Sequence, residues 1–301
     1  MLNYFSTFRQ DEIKSATIHK MIQGSSVTIT NLSVDYPLPF NIFRRNKHRD
    51  LTQVNPHGRY RALHDINLVI CPGERVGIVG MNGAGKTTLF RSLAGVLNPA
   101  DGSIIIDNVE ASSPRRHPVG YMAAFPLLYR QLTGYENLHY VANLYHINNY
   151  EERIKKVTEL VGLTDAIDKY VEQYSTGMAA RLDFARILLP DPPLLIMDEP
   201  FGSFDLHFAE EAKKIVLKSQ ATVIMATHNL NDIEEMTDRL ILLHRGQVLR
   251  DINFNELSEV APTHVGKKTL STSEFVEGLL RRASRVEKNY CQPLHRRHDI
   301  S

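Results

Sequence analysis

Gly80-Met81-Asn82-Gly83-Ala84-Gly85-Lys86-Thr87-Thr88 decides how the rest of this chain is read. The stretch fits G-x-x-x-x-G-K-[ST], the phosphate-binding P-loop. Its flanks supply the context that the motif requires. Arg75-Val76-Gly77-Ile78-Val79 has the composition of a short buried strand, and residues 87–94 have that of a helix closed by Gly95. Glycines let successive backbone N–H groups turn inward toward phosphate oxygens. The helix N-terminus adds unpaired N–H groups and about half a positive charge. Asn82, Gly83, Ala84 and Gly85 are therefore expected to cradle a nucleotide. Lys86 brings a full charge to its β- and γ-phosphates, the Thr87 hydroxyl is placed to ligate Mg²⁺, and Thr88 to bind a phosphate oxygen.

Outward from this loop, strand and helix patterns alternate. Residues 27–36 alternate like a half-buried strand, and 62–70 resume as another before the turn Cys71-Pro72-Gly73-Glu74. Strands follow at 103–107 and 119–122, the latter read as a core strand leading to a loop. From Thr133 to about Leu189 the pattern is helical, with three helices, the last starting at Ser175-Thr176-Gly177 and stopped by Pro190. Leu194-Leu195-Ile196-Met197 and Ala221-Thr222-Val223-Ile224-Met225-Ala226 are buried strands, and residues 240–249 form a hairpin. The alternation predicts an α/β fold with a largely parallel sheet covered on both faces. In such sheets the ligand sits at the carboxyl ends of the strands. The P-loop, Asp198 and His228 all lie just there.

Asp198-Glu199 ends an apolar strand. A carboxylate at the first position suits Mg²⁺; one at the second suits orienting or deprotonating an attacking water. Alone, the pair reads equally well as an exposed acidic turn; downstream of a P-loop it reads as catalytic. His228 follows the strand expected beside that of Asp198, which places it near the γ-phosphate. The remaining histidines, His295 and His298 included, show no metal-ligand spacing.

Composition narrows the class. The 301 residues are 43% hydrophobic and 23% charged, ordinary for a folded protein. A net charge of +1 gives no global electrostatic case for nucleic acid. Cys71 and Cys291 are far apart, which fits a reduced cytosolic chain without a disulfide. No apolar run approaches the ~18–20 residues of a spanning helix, and residues 1–23 are too polar for a signal peptide. Membrane association is expected through a partner or a surface. The basic run Arg44-Arg45-Asn46-Lys47-His48-Arg49 reads as a solvated loop, with anionic headgroups or a membrane partner as the functional alternative.

The order P-loop, Tyr174-Ser175-Thr176-Gly177-Met178, Leu195-Ile196-Met197-Asp198-Glu199-Pro200, Asp205 and His228 resembles the nucleotide-binding subunit of an ABC transporter. The resemblance implies a P-loop NTPase core of RecA-like type, with an antiparallel β subdomain and a helical signature subdomain at about 133–188. The cassette would run over 26–262, between an N-terminal extension (1–25) and a C-terminal tail (263–301) with one amphipathic helix near Phe275, Val276, Leu279, Leu280 and Ala283. It further implies a homodimer with two ATPs sandwiched between copies, Mg²⁺, a separate transmembrane permease, and a peripheral place on the cytoplasmic face of the inner (plasma) membrane. Ser175 and Gly177 match signature positions that touch the γ-phosphate across the dimer, and Asp205 matches the loop linking the two sites. Tyr36 matches the aromatic that stacks on adenine, a strand-edge tyrosine being the bland alternative.

Two departures from the family pattern narrow it. Thr176 stands where glycine is usual and Met178 where glutamine is usual; this form resembles the subgroup exporting polysaccharides and lipid-linked polymers such as O-antigen, capsule or teichoic acid. The second is Ala124, which falls where a glutamine usually contacts Mg²⁺ and the water, with Gln131 too far along to replace it. Exporters of drugs or other small molecules, non-transport ABC ATPases, and a nucleotide-gated module without productive hydrolysis are the rivals.

Overall fold

Strand β3 (Arg75–Val79) carries no polar side chain after its first residue, and it is buried on both faces. It belongs to a computed structural model that describes residues 24–37, 54, 58–113, 118–254 and 278. The basic run at 44–49 and the helix expected near 275–283 lie outside the described residues.

β3 lies inside a six-stranded sheet with β6 (Val119–Met122), β7 (Leu194–Asp198), β8 (Thr222–Ala226), β9 (Arg239–His244) and β10 (Gln247–Asn253), in the order β10-β9-β3-β8-β7-β6. The pairs from β9 to β6 are parallel, and β10 returns antiparallel from β9 as the predicted hairpin. Successive strand residues face opposite sides. Leu194, Ile196 and Ile224 enter one core; Leu195, Met197, Val223 and Met225 enter the other. Each fully buried side chain of this size contributes about 1.5–3 kcal/mol. A sheet covered on both faces therefore needs the continuous apolar runs seen in β7 and β8.

The first core is closed by a second, antiparallel sheet and a helix. β1 (Val27–Pro37), β2 (Arg59–Ile70), β4 (Asp101–Ile106) and β5 (Val109–Glu110) pair in the order β2-β1-β4-β5. Helix α1 (Lys86–Leu93) buries Leu89, Phe90 and Leu93 between the sheets, and ends at Ala94 before Gly95 at φ 67°.

The opposite face carries α2 (Gly134–Leu144), α3 (Tyr150–Leu160) and α4 (Thr176–Leu188), followed by α5 (Leu206–Lys218) and α6 (Leu230–Met236). α2 starts at a capping box between Thr133 and Glu136. Leu138, Ile154, Leu182 and Phe184 share one core with Leu195 and Met225, so the helical segment is packed on the sheet rather than around a core of its own. Buried Lys213 on α5 holds α6 through Asp232 and Glu235, both at 2.9 Å. Burial opposes its charge, but these carboxylates and Glu210 keep its pKa above the ordinary value.

The strand at Val119–Met122, expected as a core strand, is buried, although among the described residues it lies at the sheet's edge. Three of its four residues are buried because α4 covers it, which is why it reads as core in sequence. The folded body also starts earlier than residue 26. Gly24 and Ser25 are buried; Ser25 N–H donates to the Pro193 carbonyl at 3.0 Å, and its own carbonyl accepts from Thr222 Oγ1 at 2.6 Å.

Candidate functional site

The strand order brings four separate segments to one edge. β3, β8, β7 and β6 are consecutive neighbours, and their carboxyl ends lead into the P-loop, His228, Asp198-Glu199 and Ala124. These segments and two tyrosines line a cleft of about 370 Å³: Tyr36, Tyr60 and Ala62 on one side, Met81 to Thr88 along the floor, Ala124, Asp198, Glu199 and His228 on the other.

The loop's backbone explains its glycines. A Cβ on Gly80 would collide with the Leu243 carbonyl oxygen. Gly85 caps α1 at φ 107°, where a Cβ would also come within 2.8 Å of Leu63 Cδ2. No acidic side chain occupies the first turn of α1, so its N–H groups remain open to an anion. Lys86 folds back over the loop and donates to the Gly80 carbonyl at 2.6 Å and the Met81 carbonyl at 3.3 Å. Burial lowers its pKa, with Asp198 and Glu199 pulling the other way. Its ammonium is thus parked on weak acceptors that phosphate oxygens can replace.

Thr87 Oγ1 donates to Asp198 Oδ2 at 2.8 Å. Asp198 is buried at the end of β7, so a hydroxyl and a carboxylate oxygen from distant parts of the chain meet in one place. This donor set fits Mg²⁺, which takes few protein oxygens and completes its octahedron with waters and substrate phosphates. Among the described residues no cluster of three or more His, Cys, Asp or Glu suits a metal held by protein alone.

Glu199 sits next to it in a left-handed conformation, φ 53°. Such a conformation costs a residue with a Cβ about 1–2 kcal/mol. Its N–H donates to the Ala226 carbonyl at 2.8 Å, which ties the residue to the neighbouring strand β8. The turn therefore aims both carboxylates into the cleft, although adjacent strand residues would point apart. Glu199 Oε2 accepts from the His228 N–H at 3.3 Å. Oε1 is buried without a hydrogen-bond partner among the described residues, 3.5 Å from His228 Nε2. The Glu199 carboxylate therefore meets His228 through both oxygens at the wall of the cleft that the P-loop floors.

Tyr36 reaches the first turn of α1, its hydroxyl 3.4 Å from Thr88 Oγ1. Tyr60 shares this end of the cleft; the sequence pattern resumes the strand at 62 and leaves Tyr60 in the preceding loop, whereas β2 starts at Arg59 and includes it. Ser175, Gly177 and Asp205 do not line the cleft. Ser175 caps α4 by accepting from the Met178 N–H at 3.2 Å. Asp205 caps α5, accepting from the Phe208 N–H at 3.0 Å, and is paired with Arg181. The Phe208 N–H and then Arg181 hold its carboxyl below the usual pKa.

A second hollow, of about 430 Å³, lies between α2, α4 and the segment after β6, with Leu127, Tyr129, Tyr140, Leu144 and Tyr145 along it. Asp183, fully buried on α4, fixes this segment by accepting from the Leu127 N–H at 3.1 Å and from Arg186 Nε at 2.7 Å. Arg186 in turn donates to the Tyr121 carbonyl at 2.7 Å.

The sequence over residues 63–202 matches the family model described as ABC transporter. It is 36% identical over 204 residues to the uncharacterized ABC transporter ATP-binding protein YdbJ of Bacillus subtilis, covering 65% of this chain and 66% of that protein, just under two thirds of its length. It is 32% identical over 220 residues to the bacitracin transport ATP-binding protein BcrA of Bacillus licheniformis, covering 71% of each chain. Among solved structures, the ATP-binding cassette MJ0796, dimeric in a post-hydrolysis state with ADP and Pi, superposes with a TM-score of 0.65 at 24% identity, over 75% of this chain and 98% of that one.

Proposed function

Because this chain belongs to the ABC transporter family as an ATP-binding cassette with the ABC ATPase fold, we propose that it hydrolyses ATP to drive export of a polysaccharide or lipid-linked glycan through a separate permease. The observation that carries hydrolysis is the convergence of Lys86, the Thr87–Asp198 pair and the Glu199–His228 pair on one cleft. Lys86 and the loop amides hold the phosphates. Thr87 and Asp198 would hold Mg²⁺, which would supply charge neutralisation on the phosphate oxygens. Glu199 orients the water and takes its proton, and His228 holds Glu199 and faces the γ-phosphate. Catalysis of this kind is positioning plus electrostatic stabilisation.

Ser175 and Gly177 complete the site from a second copy. The α4 N-terminus and the Ser175 hydroxyl are donors suited to a γ-phosphate, and they lie outside the cleft of their own chain. The permease docks on the hollow beside α2, where exposed Leu127, Tyr129 and Leu144 offer an apolar, aromatic surface. Membrane contact runs through that partner, at the cytoplasmic face. Among the described residues no helix is long and apolar enough to cross a membrane.

The signature Tyr174-Ser175-Thr176-Gly177-Met178, in the form resembling polysaccharide exporters, supports a glycan as cargo. Export of a drug or another small molecule is the second reading, favoured by the likeness to BcrA. The two part in cells. Glu199→Gln in the native chain should deplete surface glycan and accumulate lipid-linked glycan inside; unchanged glycans would remove the polymer and turn attention to small-molecule efflux. Ala124 also makes a prediction. A glutamine there would add an amide beside Asp198 and Glu199, worth about 1 kcal/mol if it positions the water. Ala124→Gln should therefore raise the kcat of Mg–ATP hydrolysis roughly fivefold, and an unchanged or lower kcat would show that the water is already held.

A further inference from the structure

Lys213 occupies a place that the pattern of its own helix assigns to an apolar side chain. Phe208, Ala209, Ala212 and Val216 form the buried stripe of α5, and Lys213 falls within it. Three carboxylates meet its ammonium: Asp232 and Glu235 of α6, each at 2.9 Å, and Glu210 of its own helix at 3.0 Å. The Lys213 and Asp232 side chains are 9% and 7% exposed. A buried ion pair of this kind adds little net stability over an apolar pair of similar volume, because both charges lose their water. What it fixes is placement, since the ammonium is satisfied only where these carboxylates converge.

That placement reaches both members of the Glu199–His228 pair. Asp232 lies in the first turn of α6, and its N–H donates to the Asn229 carbonyl at 3.1 Å. Asn229 follows His228 directly; its side chain accepts from the Asn231 N–H and its own N–H donates to Thr227 Oγ1, both at 3.1 Å. On the other side the ammonium stands 6.0 Å from the centroid of the buried Phe201 ring, two residues beyond Glu199 and at cation–π range. The His228 side chain is 63% exposed, so little packing holds it, and its position follows from the backbone that α6 carries. Lys213 itself does not line the cleft.

We propose that Lys213 is a positioning residue for ATP hydrolysis: by fixing the first turn of α6 against the segment after Glu199, it aims the His228 N–H at Glu199 Oε2 and so orients the carboxylate. The proposal rests on the reading of Glu199 and His228 as the pair that handles the attacking water.

The test combines steady-state hydrolysis of Mg–ATP by the purified full chain, thermal melting, and imidazole NMR signals of histidine-labelled protein. The His228 signal is identified by its absence from His228→Ala. Lys213→Met keeps the stem and removes the charge. It should lower kcat roughly 10- to 100-fold, the cost of a displacement of about 1 Å, leave KM within about twofold, and move the His228 signal. Asp232→Ala cuts the same link while Glu210 and Glu235 still pair with Lys213, and it should show the same pattern; it carries the test if Lys213→Met does not fold. Arg239→Met is the control for stability alone. It removes ion pairs to Glu74 and Asp251 at the start of β9, the opposite end of the sheet from the cleft. It should lower the melting temperature, keep kcat within about twofold and leave the His228 signal in place. Native kcat in Lys213→Met and Asp232→Ala beside a slow Glu199→Gln would overturn the positioning role and leave the reading of the pair standing. An equal loss of kcat in Arg239→Met would also overturn it. Native kcat in both Glu199→Gln and His228→Ala would overturn the reading of the pair itself, and the proposal with it.

Discussion

Lys86→Ala is expected to abolish ATP turnover and to weaken ATP binding by a factor of 100 or more. The Lys86 ammonium donates to the carbonyls of Gly80 and Met81, at 2.6 and 3.3 Å. Burial already disfavours its charge. A triphosphate would replace neutral acceptors with anionic ones, and charge-assisted hydrogen bonds contribute about 1.5–3 kcal/mol each. Two such bonds amount to roughly two to four powers of ten in affinity. The fold should survive, because Leu89, Phe90 and Leu93 anchor α1 on its buried side. The checks are steady-state ATPase activity and thermal melting with and without Mg–ATP. The variant should melt near the native chain alone and lose the rise in melting temperature that ATP gives it. Native turnover in this variant would remove the P-loop from the mechanism.

What the sequence made legible was local. The P-loop, Asp198-Glu199 and His228 each announce themselves by residue type beside an apolar strand, and β7 and β8 are apolar at the length a doubly covered strand needs. What it hid was non-local. Tyr60 meets Tyr36 only because β1 and β2 pair across an insertion, and no pattern in either strand specifies that register. Ser25 is buried by hydrogen bonds to Pro193 and Thr222, far along the chain. β6 reads as core and is buried by α4, but its place at the edge of the sheet is set by pairing with β7 alone among the described residues. The left-handed turn at Glu199 is invisible in a residue type that rarely adopts it, yet it turns Glu199 toward the cleft beside Asp198. Asp205 and Ser175 show the opposite case: each motif residue also caps a helix, so local structure alone explains its presence within one chain.

Glu199→Gln should lower kcat at least 100-fold while leaving ATP affinity within about threefold. General-base assistance is worth roughly 10²–10⁴ in rate, and glutamine keeps the shape of the side chain while losing its proton affinity. The Gln oxygen can still accept from the His228 N–H, as Glu199 Oε2 does at 3.3 Å, so the left-handed turn should persist. The substitution removes a negative charge beside the phosphates, which favours ATP slightly. With hydrolysis slowed, ATP-bound chains should accumulate as a two-copy species on gel filtration. His228→Ala separates the roles of the pair. If His228 acts by holding Glu199, the double variant should be no slower than Glu199→Gln alone, since coupled groups do not add. If instead Glu199→Gln retains turnover and His228→Ala abolishes it, the base is the imidazole, and Glu199 Oε1 serves to orient the ring 3.5 Å away.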